Sequence, residues 1–207
     1  MERWRQMKES PIRDRRAKLL DDVADYILRH GLANLSLRPL GAAIKTSPRM
    51  LLYFFHTKER LILEALAYLQ TREQVDFQRA VSRSKPADQI EALLHNWRVS
   101  ASPGREKYSR LFFEVYGLAL QNRKRFPRFL ERAVGEWLPL YERALVALGV
   151  SRATAQSLAT LALGAVRGLH LDLLATGNRK RTERAFEELL RLLALAVPSN
   201  AAPTPLS

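Results

Sequence analysis

The stretch Ser36–Leu61, SLRPLGAAIKTSPRMLLYFFHTKERL, decides how this chain folds. Ser36 suits a helix N-cap, because a serine oxygen accepts an otherwise orphaned first-turn N–H. Pro39 then falls in the first turn, where its missing N–H costs nothing. Leu37, Leu40 and Ile44 give this short helix one apolar face. Gly41 marks a point where another backbone comes close, since a side chain there would push two helices apart. Lys45 and Thr46 make the turn. Ser47 caps a second helix with Pro48 at its first position. Met50, Leu51 and Phe55 face inward on this helix, leaving Pro48, Arg49 and Tyr53 for the outer side. Thr57 caps a further long helix expected to reach about Ser82.

Two short helices around a tight turn form a helix-turn-helix. Such a unit presents the first residues of its second helix to base edges, while the helix dipole and free N–H groups suit phosphate. Arg49 can fork onto guanine or pair with a phosphate. Lys58 and the turn that follows it would grip the backbone of the duplex.

Upstream, Arg13–His30 reads as one helix. Leu19, Val23 and Ile27 recur at i, i+4 and i+8 beside Leu20, Ala24 and Leu28, and Gly31 ends the helix in the left-handed conformation. Arg13, Arg15 and Arg16 form a basic arm that either tracks phosphate or a minor groove or is simply solvated. Residues 1–12 are expected to be a flexible arm and 13–60 the helix-turn-helix domain.

The composition agrees with a helical protein. Among 207 residues, 47% are apolar, so a sizeable core can be buried. Leu, Ala, Arg and Glu dominate and no alternating β-branched run competes with helix. The formal net charge of +13 favours polyanionic partners without choosing among them. Cysteine is absent, which excludes disulfides, thiolate chemistry and Cys-based zinc sites. The start, MERWRQMKES, has no apolar stretch after it, so no secretory signal is expected. The apolar run around Ala153–Val166 is broken by Arg167 and looks too short and too polar to span a bilayer. A cytoplasmic location follows as the expectation, with no membrane partner.

Further helices are expected at about Pro86–Ala101, Arg105–Arg123, Arg128–Leu148, Arg152–Ala175 and Arg181–Val197, about nine helices in all. The breaks are Ser102-Pro103-Gly104, Phe126-Pro127, Gly149 and Gly177-Asn178. Residues 61–197 form a larger helical domain, and the Pro- and Ser-rich 198–207 a disordered tail. The last two long helices are apolar on too many faces for lone surface helices, from Leu158, Leu161 and Leu163 through Leu173 and Leu174, then from Phe186 to Val197. A second copy of the chain would cover the extra face. Leu163, Val166, Leu174, Phe186, Leu189 and Leu193 are the expected interface residues, with Gly164 and Gly168 allowing close helix contact. Two such units would place their reading helices about 34–36 Å apart, on a palindromic site.

Residues 13–62 resemble the N-terminal domain of the TetR/AcrR-type family of bacterial transcriptional regulators. The likeness rests on His30-Gly31, Leu35-Ser36-Leu37-Arg38, Leu40-Gly41-Ala42-Ala43, the run Ser47 to Tyr53, Phe55 and Lys58-Glu59-Arg60-Leu61. It implies an all-α fold and a repressor of transcription that binds double-stranded DNA as a homodimer and leaves it when a small-molecule effector binds. By position it implies Arg38, Ser47, Arg49, Tyr53 and Lys58 as DNA contacts, to which the reading of the helix adds Pro48. Three residues depart from the family pattern. Lys45 replaces the turn glycine, Thr46 an apolar residue, and Phe54 a histidine that would otherwise be a phosphate-contact candidate. A positive φ would cost Lys45 on the order of a kcal/mol that glycine avoids.

The resemblance also gives the C-terminal domain its ligand-binding role. Trp97, Phe113, Tyr116, Trp137 and His170 are candidates for the pocket because they combine apolar bulk with a polar tip, although such residues also fill ordinary cores. Helix 58–82 would link pocket to reading head. No enzyme, metal or cofactor is indicated. His30, His56, His95 and His170 stand singly, and no G-x-S-x-G, H-E-x-x-H or Gly-rich phosphate loop occurs. The rival reading from charge alone is a basic helical adaptor for membrane surfaces or acidic proteins.

Overall fold

The computed structural model describes residues 2–82 and 89–198. Among them there is no strand. The helices are α1 (Glu2–His30), α2 (Leu37–Ala43), α3 (Pro48–Phe55), α4 (Lys58–Ser82), α5 (Gln89–Ser100), α6 (Glu106–Gln121), α7 (Phe129–Gly135), α8 (Leu138–Ala147), α9 (Arg152–Thr176) and α10 (Arg179–Ala194). They fall into two compact units, Met1–Arg72 and Glu73–Ser207, divided within α4. The expected tail beyond Pro198 and the expected start of α5 at Pro86 lie outside the described residues.

In the first unit, Val23, Ala24 and Ile27 of α1 are fully buried, as are Leu40, Leu51, Phe55 and Ala65. Helix α1 starts at Glu2 rather than at Arg13. The added turns are rich in Glu, Arg, Gln, Met and Lys, which have high helix propensity. Gly31 closes α1 at φ 70, with its N–H on the Ile27 carbonyl at 2.8 Å. Two hydrogen-bonded pairs tie α1 to α4: Arg16 with Glu64, and the Tyr68 hydroxyl donating to Asp21 at 2.9 Å.

In the second unit, α9 packs against α6, α8 and α10, and α10 also packs on α5. Trp97, Leu94, Ala101, Phe186 and Leu190 form one buried cluster, and Leu145, Leu148, Val150, Ala155 and Ala159 belong to another. The segment expected as one helix over Arg128–Leu148 is two, α7 and α8. Pro139 is the cause: it cannot donate to the Gly135 carbonyl and its ring crowds that oxygen. Ser151 and Asn178 cap α9 and α10, accepting from Thr154 N–H at 3.3 Å and Arg181 N–H at 3.2 Å. Gly177 separates the two helices at φ 65.

Helix α9 runs from Arg152 to Thr176, within a residue of the expected bounds, and over these 25 residues it is long and apolar enough, by length and composition alone, to cross a membrane. The run to Val166 alone is not. Much of that apolar surface faces outward: Leu161 and Leu171 are 61% and 52% exposed.

Candidate functional site: a reading helix and an aromatic cavity

The turn before α3 is built from three local devices. Helix α2 ends in a Schellman motif, with the Thr46 N–H on the Gly41 carbonyl at 2.8 Å and the Lys45 N–H on the Ala42 carbonyl at 3.3 Å. The motif needs a left-handed residue, and Lys45 supplies it at φ 56. Gly41 makes the close approach possible, since a Cβ there would lie 2.8 Å from the Thr46 carbonyl oxygen and 3.4 Å from Pro48 Cδ. Ser47 Oγ then accepts the Met50 N–H at 3.1 Å, and Pro48 occupies the first helical position. After α3, the Thr57 N–H reaches back to the Phe55 carbonyl at 2.8 Å across His56, held at φ 66 and ψ −54, a strained γ-turn for a residue with a side chain. Thr57 Oγ1 accepts the Arg60 N–H at 3.1 Å and starts α4.

These devices fix which side of α3 faces out. Leu51 and Phe55 are fully buried. Ser47, Arg49 and Tyr53 are exposed, Tyr53 by 68%, and Pro48 is half-buried. Arg49 and Tyr53, four residues apart, share one face of the helix. Phe54 is half-buried, edge-on to Tyr53 at 5.1 Å. Arg38 is exposed on α2, and Lys58 is half-buried at the first position of α4. The basic arm is reduced by one member: Arg16, midway along α1, pairs with Glu64 of α4 and lies over the Phe55 ring at 4.8 Å.

The second unit holds a cavity of about 670 Å³, a size that suits a drug-sized molecule. Its walls come from the end of α4 (Asp76, Phe77), from α5 (His95, Ser100), from α6 (Tyr108, Phe112, Phe113), from Trp137 and Tyr141 at α8, and from α9 (Leu163, Arg167, His170). Three of the five expected pocket residues are there: Phe113, Trp137 and His170. The other two are not among its lining residues. Trp97 is 2% exposed and stacks on Phe186 at 4.7 Å in the core, touching only a small apolar void of about 70 Å³. Tyr116 packs on Phe112 and Phe129 at ring distances of 5.5 and 6.4 Å. Aromatic bulk alone does not separate core from pocket.

Charges in the cavity are unevenly compensated. Arg105 pairs with Glu73 at 3.1 Å and with Asp76 at 2.9 Å. Arg167 donates to the Ala133 carbonyl and sits over the rings of Phe112 and Tyr116 at 5.5 and 5.6 Å. Burial lowers its pKa, and the groups that raise it are the phenols Tyr116, Tyr141 and Tyr108. Burial likewise pushes Tyr141 up to about 12 and Tyr108 higher still. His170 has its pKa lowered by burial, opposed by a bond from Nδ1 to the Val166 carbonyl at 2.9 Å. Its Nε2 lies 3.2 Å from Ser100 Oγ, a hydroxyl that also donates to the Trp97 carbonyl at 3.0 Å. Sequence reading missed Arg105, Tyr108, Tyr141 and Arg167. One signal was available: Arg167 interrupts an otherwise apolar helix, and a buried charge needs a reason.

The expected interface residues differ in exposure. Leu163 and Phe186 are buried, and Val166, Leu174, Leu189 and Leu193 are half-buried. Val166 and Leu189 pack on the Trp97–Phe186 cluster. The exposed apolar side chains of α9 and α10 are Leu161, Leu171, Leu192 and Leu195, the last two 57% and 82% exposed. Gly164 and Gly168 lie on the Leu161–Leu171 stripe, and a Cβ on either meets nothing within 4 Å, so neither serves close packing inside the subunit.

No protein-family model matches the chain, and no curated protein matches it in sequence. Solved structures do match in fold. A protein from Rhodococcus sp., described as a TetR-family transcriptional regulator, aligns at TM-score 0.70 and 21% identity over 89% of this chain and 98% of its own. A transcriptional regulator from Rhodococcus sp. Rha1 aligns at TM-score 0.72 and 16% identity over 92% and 99%. This is the fold of the TetR-family regulators. The multidrug binding protein EbrR, solved with proflavin, aligns at TM-score 0.58 and 25% identity over 86% and 99%. Among the described residues, no group of three or more His, Asp or Glu side chains is placed to hold a metal ion.

Proposed function

We propose that the protein is a sequence-specific, DNA-binding transcriptional regulator, a homodimeric repressor released from a palindromic operator by a small molecule. The observation that carries this reading is the exposed face of α3. Arg49 and Tyr53 stand free on a helix whose opposite side, Leu51 and Phe55, is fully buried. The cap at Ser47 fixes where this helix begins, and a helix-turn-helix presents the first residues of its second helix to the major groove, where Arg49 and Tyr53 lie on the outward face. Arg49 and Tyr53 read base edges, Ser47, Pro48 and Arg38 sit against phosphates, and Lys58 anchors the backbone. The net charge of +13 adds the sequence-blind part of the affinity.

The second copy is seated on the stripe Leu161, Gly164, Gly168, Leu171 of α9, with Leu192 and Leu195 of α10. Leu161, Leu171, Leu192 and Leu195 are each more than half exposed, and an exposed apolar patch on neighbouring helices marks an interaction surface. Helix α4 carries Lys58 at one end and the cavity residues Asp76 and Phe77 near the other. An effector in the cavity biases the conformers of this shared helix and lowers the population that fits the operator. The fold is that of proteins described as transcriptional regulators, which are not enzymes, and the cellular site is the cytoplasm, where such a regulator meets its DNA.

The test is selection of duplexes from a random library, followed by binding at several salt concentrations. Lys58→Ala is expected to weaken binding to every sequence, and Arg49→Ala to change which sequence is preferred. If neither variant differs from the parent, or if no duplex is bound above the random pool, the reading fails and a sequence-blind basic adaptor takes its place.

A further inference from the structure

Resting on the effector cavity just proposed, we infer that its ligand is an aromatic or otherwise flat apolar molecule carrying a single carboxylate, and that Arg167 receives that carboxylate. The geometry favours an anion over a cation. The acidic groups at the wall are already engaged: Arg105 holds both Glu73 and Asp76, and Arg79 adds a longer contact to Asp76 at 3.8 Å. Glu91 lies on the exposed side of α5, in the field of Arg98. A cationic guest would have to compete with these arginines.

Arg167 is in the opposite position. Among the described residues it forms no ion pair. Its partners are one carbonyl oxygen and two ring faces, which leave part of its five-donor fork unused. A half-buried guanidinium held by ring faces and lacking a carboxylate is partly desolvated without a compensating charge. Three further donors line the same cavity. Tyr108 and Tyr141 have no hydrogen-bond partner for their hydroxyls among the described residues, and both are close enough to Arg167 to act on its charge. The buried Nε of Arg105 is also without a hydrogen-bond partner. Unpaired donors around one uncompensated cation make a receptor for a carboxylate, which accepts up to four such bonds. The apolar body of the ligand has Phe77, Phe113 and Trp137 to lie against.

The experiment uses three probes of one shape: 2-naphthoate, 2-naphthamide and 2-naphthylmethylammonium. Calorimetry on the full chain is expected to give naphthoate at least about tenfold tighter binding than the amide, the scale of a buried charge-assisted pair. The ammonium probe is expected to bind weakest. Arg167→Met should remove the preference for naphthoate and leave amide binding within about threefold, and Arg167→Lys should restore part of it, since lysine keeps the charge but not the fork. The parent comparison stands even if Arg167→Met fails to fold. Equal or tighter binding of the amide or the ammonium probe overturns the inference, as does no naphthoate binding up to millimolar concentration. Operator release is read separately by anisotropy. Release by the ammonium probe alone overturns the carboxylate assignment and leaves the regulator intact. Naphthoate binding without release supports the assignment and overturns ligand-controlled release.

Discussion

Gly41→Ala opposes two effects of known sign, and the structure says which wins. In a helix interior alanine is favoured over glycine by about 0.5–1 kcal/mol, because glycine loses more backbone freedom on folding. Against this, the new methyl would stand 2.8 Å from the Thr46 carbonyl oxygen. That oxygen cannot retreat easily. The Thr46 N–H is bonded to the Gly41 carbonyl itself, and Pro48, two residues on, has its φ locked by the ring and its Cδ at 3.4 Å from the same methyl. Forcing a methyl into packed backbone costs about 1–3 kcal/mol. The net expectation is destabilisation by about 1–2 kcal/mol. With a urea slope of about 1–3 kcal/mol per molar, the unfolding midpoint should fall by roughly 0.5–1 M. Gly117→Ala in α6 is the control, since a Cβ there meets nothing within 4 Å. It should stabilise by about 0.5–1 kcal/mol. Circular dichroism in urea on the two variants therefore reads opposite signs from one chemical change. Gly41→Ala proving as stable as the parent would refute the claim that backbone contact sets this turn.

Other expectations follow from the same geometry. Lys45→Gly relieves a left-handed residue that costs about 1–2 kcal/mol but gives the unfolded chain back about 0.4–1 kcal/mol of entropy, so a gain of a few tenths to about 1 kcal/mol is expected in the same urea assay, and Lys45→Ala should give none of it. Leu161→Glu with Leu171→Glu should weaken self-association by about a hundredfold or more in sedimentation equilibrium, the scale of losing interface anchors, while a parent that is monomeric at micromolar concentration would defeat the dimer. The folded-state pKa of His170 lies below its ordinary 6.5, so the unfolded chain takes up the proton first. Stability contributed by the neutral ring is therefore complete above pH 6.5 and is lost as pH falls below it. His170→Gln should flatten that part of the pH profile of the urea midpoint, and an unchanged profile would show that the ring titrates as freely as in the unfolded chain.

Much of the helix-turn-helix is legible in local sequence pattern. Ser47, Pro48 and Thr57 act on N–H groups within three residues, and Leu51 and Phe55 follow from a helical period, so local pattern was enough to place them. Lys45 was the open point: a departure from the glycine expected there could have reshaped the turn, and instead the lysine adopts φ 56 because the Schellman bonds hold it. The cavity and the exposed apolar stripe of α9 are much less legible. Periodicity marks a residue as apolar but does not say which neighbour covers it. Phe186 and Leu189 share the apolar period of an interface residue, yet Trp97 and its cluster bury or half-bury them within the subunit, while Leu171 and Leu192 are more than half exposed.

The sequence by itself determined the all-helical class, the caps at Ser47 and Thr57 and the outward arginine and tyrosine of α3, since each depends on atoms a few bonds away along the chain. Ser36, by contrast, stands at the start of α2 without a side-chain cap bond. Only the tertiary structure decided that Arg167 stands without a carboxylate beside Tyr108 and Tyr141, and that Leu161 and Leu171 point to water. Those facts depend on residues distant in the chain meeting, or failing to meet, in space, and no local period encodes such meetings.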